Sequence, residues 1–299
     1  MHHHNLPVRL FTFRIFVLAF ALVLAMGTER SAAAPFLTKG QNVKVMPLGD
    51  SITLGKKDFV GGYRKVLYEW LIKNGYALTY VGKENIRNNP RYPATCSDGS
   101  IPYHEGYGGI RTDMILSGGE VEKETAPPLA TTLENFKPDV VLLMIGTNDI
   151  LQKWKLDSLE DRLGQIIDTI YAANPKTSVL VASIAPLDGW AYAEKEKRIL
   201  AYNAAIPGIV AKQQALGHQI GFVDVYQAVS FKGALGGDGV HPTSLGYAKM
   251  AQVWYKALTG EEAPAIDPQN PLMLPAPLPT TNGGTPASAT NAAPTPSGP

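Results

Sequence analysis

Five short apolar segments, separated by helical patterns, most strongly limit the folds available to this chain of 299 residues. Each segment is five or six residues long and rich in β-branched side chains, which is typical of strands buried on both faces of a parallel sheet. The predicted strands are residues 43–48, 78–82, 140–145, 179–184 and 220–225.

The intervals between these segments carry apolar residues at helical spacing. The pattern predicts helices over residues 63–74, 159–173, 194–216 and 244–258. Pro207 should kink or split the third helix, and Thr243 or Ser244 should cap the fourth. Strands that alternate with helices predict right-handed crossovers between parallel strands. We therefore expect an α/β fold, a three-layer α/β/α sandwich whose five-stranded parallel sheet has the flavodoxin-like order 2-1-3-4-5.

This strand order also predicts where a ligand binds. The first and third strands become neighbours, and the crevice at their carboxyl ends is the expected site. Residues 84–110 show no strand or helix pattern and are predicted to form a long irregular loop, a feature that is often functional in a compact domain.

The N-terminus has the organisation of an export signal. Arg9 and Arg14 precede an apolar run, residues 15–26, that is too short to span a bilayer comfortably. Small residues follow up to Ala33, after which we expect cleavage. Residues 1–33 are therefore predicted to be a signal peptide, with an uncleaved anchor as the alternative, and the mature protein is expected to be secreted, extracellular or periplasmic.

The folded domain is expected over residues 40–262. Residues 263–299 are rich in Pro, Ala, Thr, Gly and Ser without apolar periodicity, a composition that predicts a disordered tail. The 27 basic and 26 acidic residues give a net charge of +1, which argues against a nucleic-acid partner. The single cysteine, Cys96, can form neither a disulfide within the chain nor a thiolate metal site. We expect no metal, no cofactor and no membrane contact after cleavage, while the oligomeric state stays open.

Two polar residues follow the predicted neighbouring strands. Ser51 comes directly after the first strand, where an α/β enzyme can place a nucleophile, although a turn or helix-cap serine is the alternative. The sequence is not the Gly-x-Ser-x-Gly elbow, because position 53 is threonine. Asn148 follows the third strand, and its amide is suited to donate a hydrogen bond to an oxyanion; a turn residue is again the alternative.

A serine nucleophile needs a base, and three histidines lie outside the predicted leader. His218 fits a structural role near a helix end, and His104 falls in the long loop, where it is a candidate substrate contact. His241 lies three residues after Asp238 in a glycine-containing turn, so the carboxylate can orient one ring nitrogen while the other faces Ser51. The alternative is a loop aspartate and histidine that make no contact.

These segments together resemble the conserved blocks of the SGNH/GDSL hydrolase superfamily, across about residues 43–258. The blocks are Gly-Asp-Ser-Ile-Thr (49–53), a glycine near 109, Gly-Thr-Asn-Asp (146–149) and Asp-Gly-Val-His-Pro-Thr (238–243). The resemblance implies that Ser51 is the nucleophile, with Asp238 and His241 completing the catalytic triad. It also implies an oxyanion hole of the Ser51 and Gly109 backbone N–H groups and the Asn148 side chain, with Gly108 as a substitute for Gly109.

Three short motifs within and beside these blocks are similar to those of carbohydrate esterase family 3, a family known for acetyl xylan esterases. They are residues 46–53, Gly-Gly-Tyr-Arg at 61–64 and His-Glu-Gly at 104–106. This resemblance implies a serine esterase that removes O-acetyl groups from a polysaccharide such as xylan through an acyl-serine intermediate. Candidate substrate contacts are Asp50, His104 and Tyr107. Aromatic residues in predicted loops could stack on sugars, with partial burial as the alternative: Tyr92, Tyr103, Tyr107, Trp154, Trp190 and Tyr192.

Two other functions fit the same pattern. A GDSL-type lipase, lysophospholipase or thioesterase would use the same catalytic residues with an apolar acyl channel. A non-catalytic polysaccharide-binding protein would bind polymer without hydrolysing esters, although a binder has no need for the Ser, Asn, Asp and His set.

Overall fold

The computed structural model describes Met1 and residues 35–56, 61–85 and 103–267. The chain divides into two compact units, Met1–Pro35 and Phe36–Pro299, and the fold described below is that of the second unit. Cys96, Tyr92, most of the predicted signal peptide and residues 268–299 of the predicted tail lie outside the described residues. Among the residues that are described, no helix is both long and apolar enough to cross a membrane.

The central sheet contains the five predicted parallel strands and two further strands, β3 and β4, while β5 and β6 form a separate hairpin. In chain order the strands of the described residues are β1 (Asn42–Gly49), β2 (Ala77–Tyr80), β3 (Glu84–Asn85), β4 (Tyr103–Gly106), β5 (Gly119–Val121), β6 (Glu124–Ala126), β7 (Val140–Met144), β8 (Ser178–Ala182) and β9 (Ile220–Val223). The parallel order β2-β1-β7-β8-β9 confirms the predicted order 2-1-3-4-5. Every residue of β7 and β8 is buried, as expected for strands covered on both faces.

Helices cover both faces of this sheet. They are α1 (Ser51–Leu54), α2 (Tyr63–Lys73), α3 (Thr112–Ser117), α4 (Leu129–Phe136), α5 (Thr147–Gln152), α6 (Leu159–Ala173), α7 (Ala193–Ala215), α8 (Val225–Ala228) and α9 (Ser244–Thr259). α2 and α9 pack together through the stacked rings of Tyr63 and Trp254, whose centroids are 5.8 Å apart. α4 and α7 both contribute to the layer that contains α6.

Two details of the predicted helices are decided by the structure. Pro207 lies inside α7, which continues through it, so the helix is not split. A proline inside a helix removes one backbone hydrogen bond and commonly bends the helix without ending it. Thr243 is the cap of α9, because its hydroxyl accepts a hydrogen bond from the N–H of Gly246 at 3.2 Å.

The described parts of the predicted loop 84–110, residues 84–85 and 103–110, contain two short strands that were not predicted, and residues 86–102 lie outside the described residues. β4 pairs in parallel with the carboxyl end of β1, and β3 pairs with β4 in the antiparallel sense. β2 pairs with the first half of β1, so β2 and β4 share one edge of that strand. Residues 103–106 read Tyr-His-Glu-Gly and have no apolar pattern, which is why the sequence did not indicate a strand. A second hairpin, β5–β6, was not predicted either.

Candidate active site

Three neighbouring strands end side by side where the predicted catalytic residues begin. Gly49 of β1 is aligned with Gly106 of β4 and with Met144 of β7. The chain continues from these strand ends, within four residues, to Ser51, Gly109 and Asn148. The extended sheet therefore collects these three residues at one edge, as the carboxyl ends of parallel strands do.

A tight turn places Ser51 at the start of a helix. Gly49 must be glycine, because a Cβ there would lie 2.2 Å from the carbonyl oxygen of Met144. The Asp50 carboxylate then caps α1 by accepting the N–H of Ile52 at 2.9 Å. Ser51 is the first residue of α1, a position whose backbone N–H has no partner within its helix.

The far end of α1 is held by a buried guanidinium. Arg64 donates from Nε to the carbonyl oxygen of Thr53 at 2.8 Å and from Nη2 to that of Leu54 at 3.1 Å. Its side chain is fully buried on α2. These bonds satisfy carbonyl groups that a four-residue helix leaves without partners, so Arg64 helps to hold the turn that carries Ser51.

Ser51, His241 and Asp238 form one hydrogen-bonded chain. Nε2 of His241 lies 2.8 Å from Oγ of Ser51, and Nδ1 lies 2.7 Å from Oδ2 of Asp238. The other carboxylate oxygen accepts the N–H groups of Val240 and His241, each at 3.0 Å. A carboxylate beside Nδ1 favours the proton on that nitrogen, which leaves the Nε2 lone pair directed at the serine hydroxyl.

The segment Asp188–Tyr192 supports the turn that carries the acid and the base. Gly239 has a φ of +67°, and a Cβ there would lie 2.1 Å from the Asp188 carbonyl oxygen, so the position requires glycine. The Asp188 N–H donates to Gly239 O at 2.8 Å, and Tyr192 Oη donates to Asp238 O at 3.3 Å. Sequence reasoning did not find this support, because its residues lie about 50 positions away from the turn they contact.

A further turn, residues 107–110, follows β4 and lies next to the turn that carries Ser51. The Tyr107 N–H donates to Gly49 O at 3.2 Å, and the Ile110 N–H donates to Tyr107 O at 3.4 Å. Gly109, with a φ of +79°, occupies the third position of this turn, where a positive φ selects glycine. In the part of the chain that the structure describes, the N–H groups of Gly109 and Ser51 donate to no protein acceptor.

Asn148 lies in the first turn of α5 and contacts the 107–110 turn. Its Nδ2 donates one N–H to the carbonyl oxygen of Ile110 at 2.9 Å. A side-chain amide carries two such hydrogens, so a second is left to donate elsewhere. Gly109 accepts a further bond through its carbonyl oxygen from Nε2 of Gln152, at 3.1 Å. α5 thus fastens the turn at two points.

The buried carboxylate of Asp149 ties α5 to α3 through hydrogen bonds and to α6 through an ion pair. Asp149 accepts the N–H of Thr112 at 3.0 Å and its hydroxyl at 2.7 Å, and Arg162 Nη2 lies 2.9 Å from the same carboxylate. Burial raises the pKa of Asp149, while these donors oppose the rise by stabilising the ionised form. Removing one partner of such a pair is costly, so the network holds Asn148 in place. In the sequence, only the aspartate directly after Asn148 pointed to this network, and no pattern indicated that Arg162 would pair with it.

The three predicted substrate contacts, Asp50, His104 and Tyr107, are buried side chains that bond to the backbone and to neighbouring residues of the site. Their exposed fractions are only 0%, 1% and 2%, so they lie inside the protein. Asp50 caps α1, and its burial raises the pKa of that carboxyl. Nδ1 of His104 accepts the Gly106 N–H at 3.0 Å, and burial, aided by the charge of Arg64, holds the pKa of His104 well below its ordinary value. These side chains shape the turns from within.

Some of the predicted aromatic residues do reach solvent. Trp190, in the supporting segment 188–192, is 94% exposed, and Trp154 and Tyr103 are partly exposed. The guanidinium of Arg111 lies over the Trp154 ring, 4.4 Å from its centroid. Within the described residues, no group of three or more His, Cys, Asp or Glu side chains is arranged to hold a metal ion.

Comparison with curated proteins identifies an esterase relative. A multidomain esterase of Ruminococcus flavefaciens is 30% identical over 249 residues, which are 79% of this chain and 31% of that protein. The chain spans less than two thirds of the length of the curated relatives it matches.

Solved structures and a family model complete the comparison. A family 3 carbohydrate esterase of Clostridium thermocellum is 32% identical, with a TM-score of 0.58 and coverage of 73% of this chain and 95% of that one. An acetyl esterase solved with an acetate ion is 30% identical, with a TM-score of 0.58 and coverage of 72% and 96%. The model of the GDSL-like lipase/acylhydrolase family matches residues 48–249. The chain therefore belongs to this GDSL/SGNH family of esterases and acylhydrolases.

Proposed function

We propose that this protein is a secreted serine esterase that removes acetyl groups from a carbohydrate through an acyl-serine intermediate. The observation that carries the proposal is the hydrogen-bonded chain of Ser51, His241 and Asp238, with contacts of 2.8 and 2.7 Å. A serine hydroxyl beside an imidazole whose other nitrogen meets a carboxylate is the arrangement that activates a nucleophile.

The mechanism follows from this arrangement. Nε2 of His241 takes the proton of the Ser51 hydroxyl while Oγ attacks the ester carbonyl carbon, and Asp238 stabilises the resulting imidazolium. His241 then gives its proton to the departing alcohol. Water, deprotonated by the same nitrogen, hydrolyses the acyl-serine and restores the hydroxyl.

The tetrahedral intermediate carries a negative oxygen that needs donors. We assign this role to the backbone N–H groups of Ser51 and Gly109 and to the second Nδ2 hydrogen of Asn148. All three groups lie at the shared edge of β1, β4 and β7. Donors that are already in place stabilise the transition state more than the ground state, which raises kcat.

Substitution of Asn148 by alanine tests the oxyanion assignment. We expect kcat for p-nitrophenyl acetate to fall about 100- to 1,000-fold, because one preorganised donor is lost. Gln152→Ala is the matched control, since Gln152 bonds the same turn through Gly109 O but is assigned no donor role toward the oxyanion. A loss of only a few-fold in Asn148→Ala, or equal losses in both variants, would show that Asn148 merely supports the turn.

Three observations support an acetylated carbohydrate as the substrate. The solved relatives at 30–32% identity are a family 3 carbohydrate esterase and an acetyl esterase. The motifs at 61–64 and 104–106 resemble the same esterase family. Trp190 is exposed on the segment that supports the Asp238 turn, and an exposed indole presents a face on which a sugar ring can stack.

Export is supported by the basic, apolar and small residues before Ala34, which have the organisation of a signal peptide. N-terminal sequencing of the mature protein tests this part of the proposal.

An acyl-chain series separates this substrate from the lipid alternatives. We expect kcat/KM to be highest for p-nitrophenyl acetate and to decrease steadily toward the palmitate ester, and we expect acetate to be released from acetylated xylan. Ser51→Ala serves as the control for non-enzymatic hydrolysis. A preference for octanoate or longer esters would indicate a lipase or thioesterase instead. Polymer binding without any acetate release would indicate a non-catalytic protein.

A further inference from the structure

An ion pair outside the catalytic triad joins the segment that follows Ser51 to the β5–β6 hairpin. Lys56 Nζ lies 2.6 Å from Oε1 and 2.7 Å from Oε2 of Glu122. The backbone of Lys56 is tied to the nucleophile, because its N–H donates to Ser51 O at 2.9 Å. Its carbonyl oxygen accepts the Tyr247 hydroxyl at 3.1 Å. The ammonium group therefore extends from a backbone held directly against Ser51.

Glu122 reaches this position from a strained hairpin tip. Glu122 and Lys123 connect β5 to β6, and their φ angles are +48° and +76°. Both φ angles lie in the left-handed region, which residues other than glycine and asparagine seldom adopt, least of all at two successive positions. Such strain persists only where the surrounding contacts maintain it. Here the Lys56–Glu122 pair supplies a contact of that kind.

The Glu122 carboxylate packs directly on the 107–110 turn. A Cβ at Gly108 would lie 2.3 Å from Oε2, so the absence of a side chain there makes room for the carboxylate. Oε1 would lie 3.9 Å from a Cβ at Gly109, whose N–H we assign to the oxyanion hole. A negative group packed on the turn that donates to a developing oxyanion would oppose that charge, unless a cation neutralises the group.

We propose that Lys56 and Glu122 are positioning residues for the esterase reaction. Glu122 holds residues 107–110, here called the oxyanion turn, against the turn that carries Ser51, and Lys56 both anchors Glu122 and neutralises its charge. This inference rests on the proposed function, because it concerns the same oxyanion. The inference predicts that losing Lys56 lowers the reaction rate more than losing the charge of Glu122. Loss of Lys56 leaves a bare carboxylate beside the oxyanion turn, whereas loss of the Glu122 charge leaves a cation, which does not oppose the oxyanion.

Three variants test this inequality through kcat and KM for p-nitrophenyl acetate. Lys56→Met is expected to lower kcat about 10-fold, equivalent to about 1.4 kcal/mol, with KM nearly unchanged. Glu122→Gln is expected to lower kcat about 3-fold or less, because only the positioning contact is weakened. The double variant should match Glu122→Gln, since removal of the carboxylate removes the harm done by losing Lys56.

The control is the exposed Lys197–Glu194 pair on α7, in which Lys197→Met should leave kcat unchanged. A merely structural bridge predicts equal losses in Lys56→Met and Glu122→Gln, a double variant no better than either, and parallel losses of Tm. That result, or an unchanged kcat in Lys56→Met, would overturn the inference alone when the wild-type protein is active. A wild-type protein that fails to hydrolyse the ester would overturn the proposed function and this inference together.

Discussion

Ser51→Ala is expected to lower kcat for p-nitrophenyl acetate by about a million-fold, the largest effect of any single substitution in this protein. Oγ of Ser51, which lies 2.8 Å from His241 Nε2, is the protein atom that forms a covalent bond to the acyl group in the proposed mechanism. Without this atom, the imidazole has no nucleophile to deprotonate, and the oxyanion donors have no tetrahedral intermediate from serine attack to stabilise. Initial rates, measured beside a thermal melt to show that the fold is retained, give the result.

A double substitution shows whether Ser51 and His241 act as one unit. His241→Ala should cost about as much as Ser51→Ala, and the combination should cost no more than either alone, because each residue is useless without the other. Ser183→Ala is the matched control: Ser183 is a buried serine directly after β8 whose hydroxyl bonds Asp224 and the Tyr226 N–H. Its kcat should stay near the wild-type value. Additive losses at Ser51 and His241 would contradict the shared mechanism.

Asp238→Asn is expected to lower kcat about ten-thousand-fold. Asparagine is nearly isosteric, so its oxygen can still accept the N–H groups of Val240 and His241. Its amide nitrogen, however, would then face Nδ1 of His241 as a donor. The imidazole would have to place its proton on Nε2, the tautomer that cannot accept the Ser51 proton. Initial rates of p-nitrophenyl acetate hydrolysis measure the loss.

Asp224→Asn is the matched control for this experiment. Asp224 also accepts backbone and hydroxyl hydrogen bonds near a strand end, but from Gln227 and Ser183 rather than from a histidine. We expect its kcat to change by no more than a few-fold and its Tm to change about as much as that of Asp238→Asn. A mild effect in Asp238→Asn would mean that the carboxylate holds the turn without setting the tautomer.

The sheet could be predicted from the sequence because its strands are locally marked. The segments predicted at 140–145 and 179–184 are observed as Val140–Met144 and Ser178–Ala182, where a short apolar run rich in β-branched residues indicates a strand buried on both faces. The contact of Asp238 with His241 was also foreseeable, since the two residues lie three positions apart. Ser51 and Asn148 follow neighbouring strands, so the strand order alone brings them to one edge.

The remaining parts depend on contacts between distant segments. β4 reads Tyr-His-Glu-Gly and becomes a strand because the carboxyl end of β1 offers it an unpaired edge. Its pairing moves His104 from a predicted loop into the interior. Glu122 was passed over, because a glutamate between two short segments gives no sign of the lysine 66 residues earlier that binds it. Exposed charges pair according to the finished fold, which single-sequence patterns do not contain.

The sequence separation of 190 positions between Ser51 and His241 has a consequence for how the protein matures. The nucleophile follows the first strand, whereas the base follows the last one, so the contact between them spans a very large sequence separation. At ribosomal rates of about 5–20 residues per second, roughly 10–40 s separate the synthesis of the two residues. A partly made or partly refolded chain therefore lacks the contact altogether. Recovery of esterase activity should report completion of the whole sheet and lag behind the recovery of helical signal.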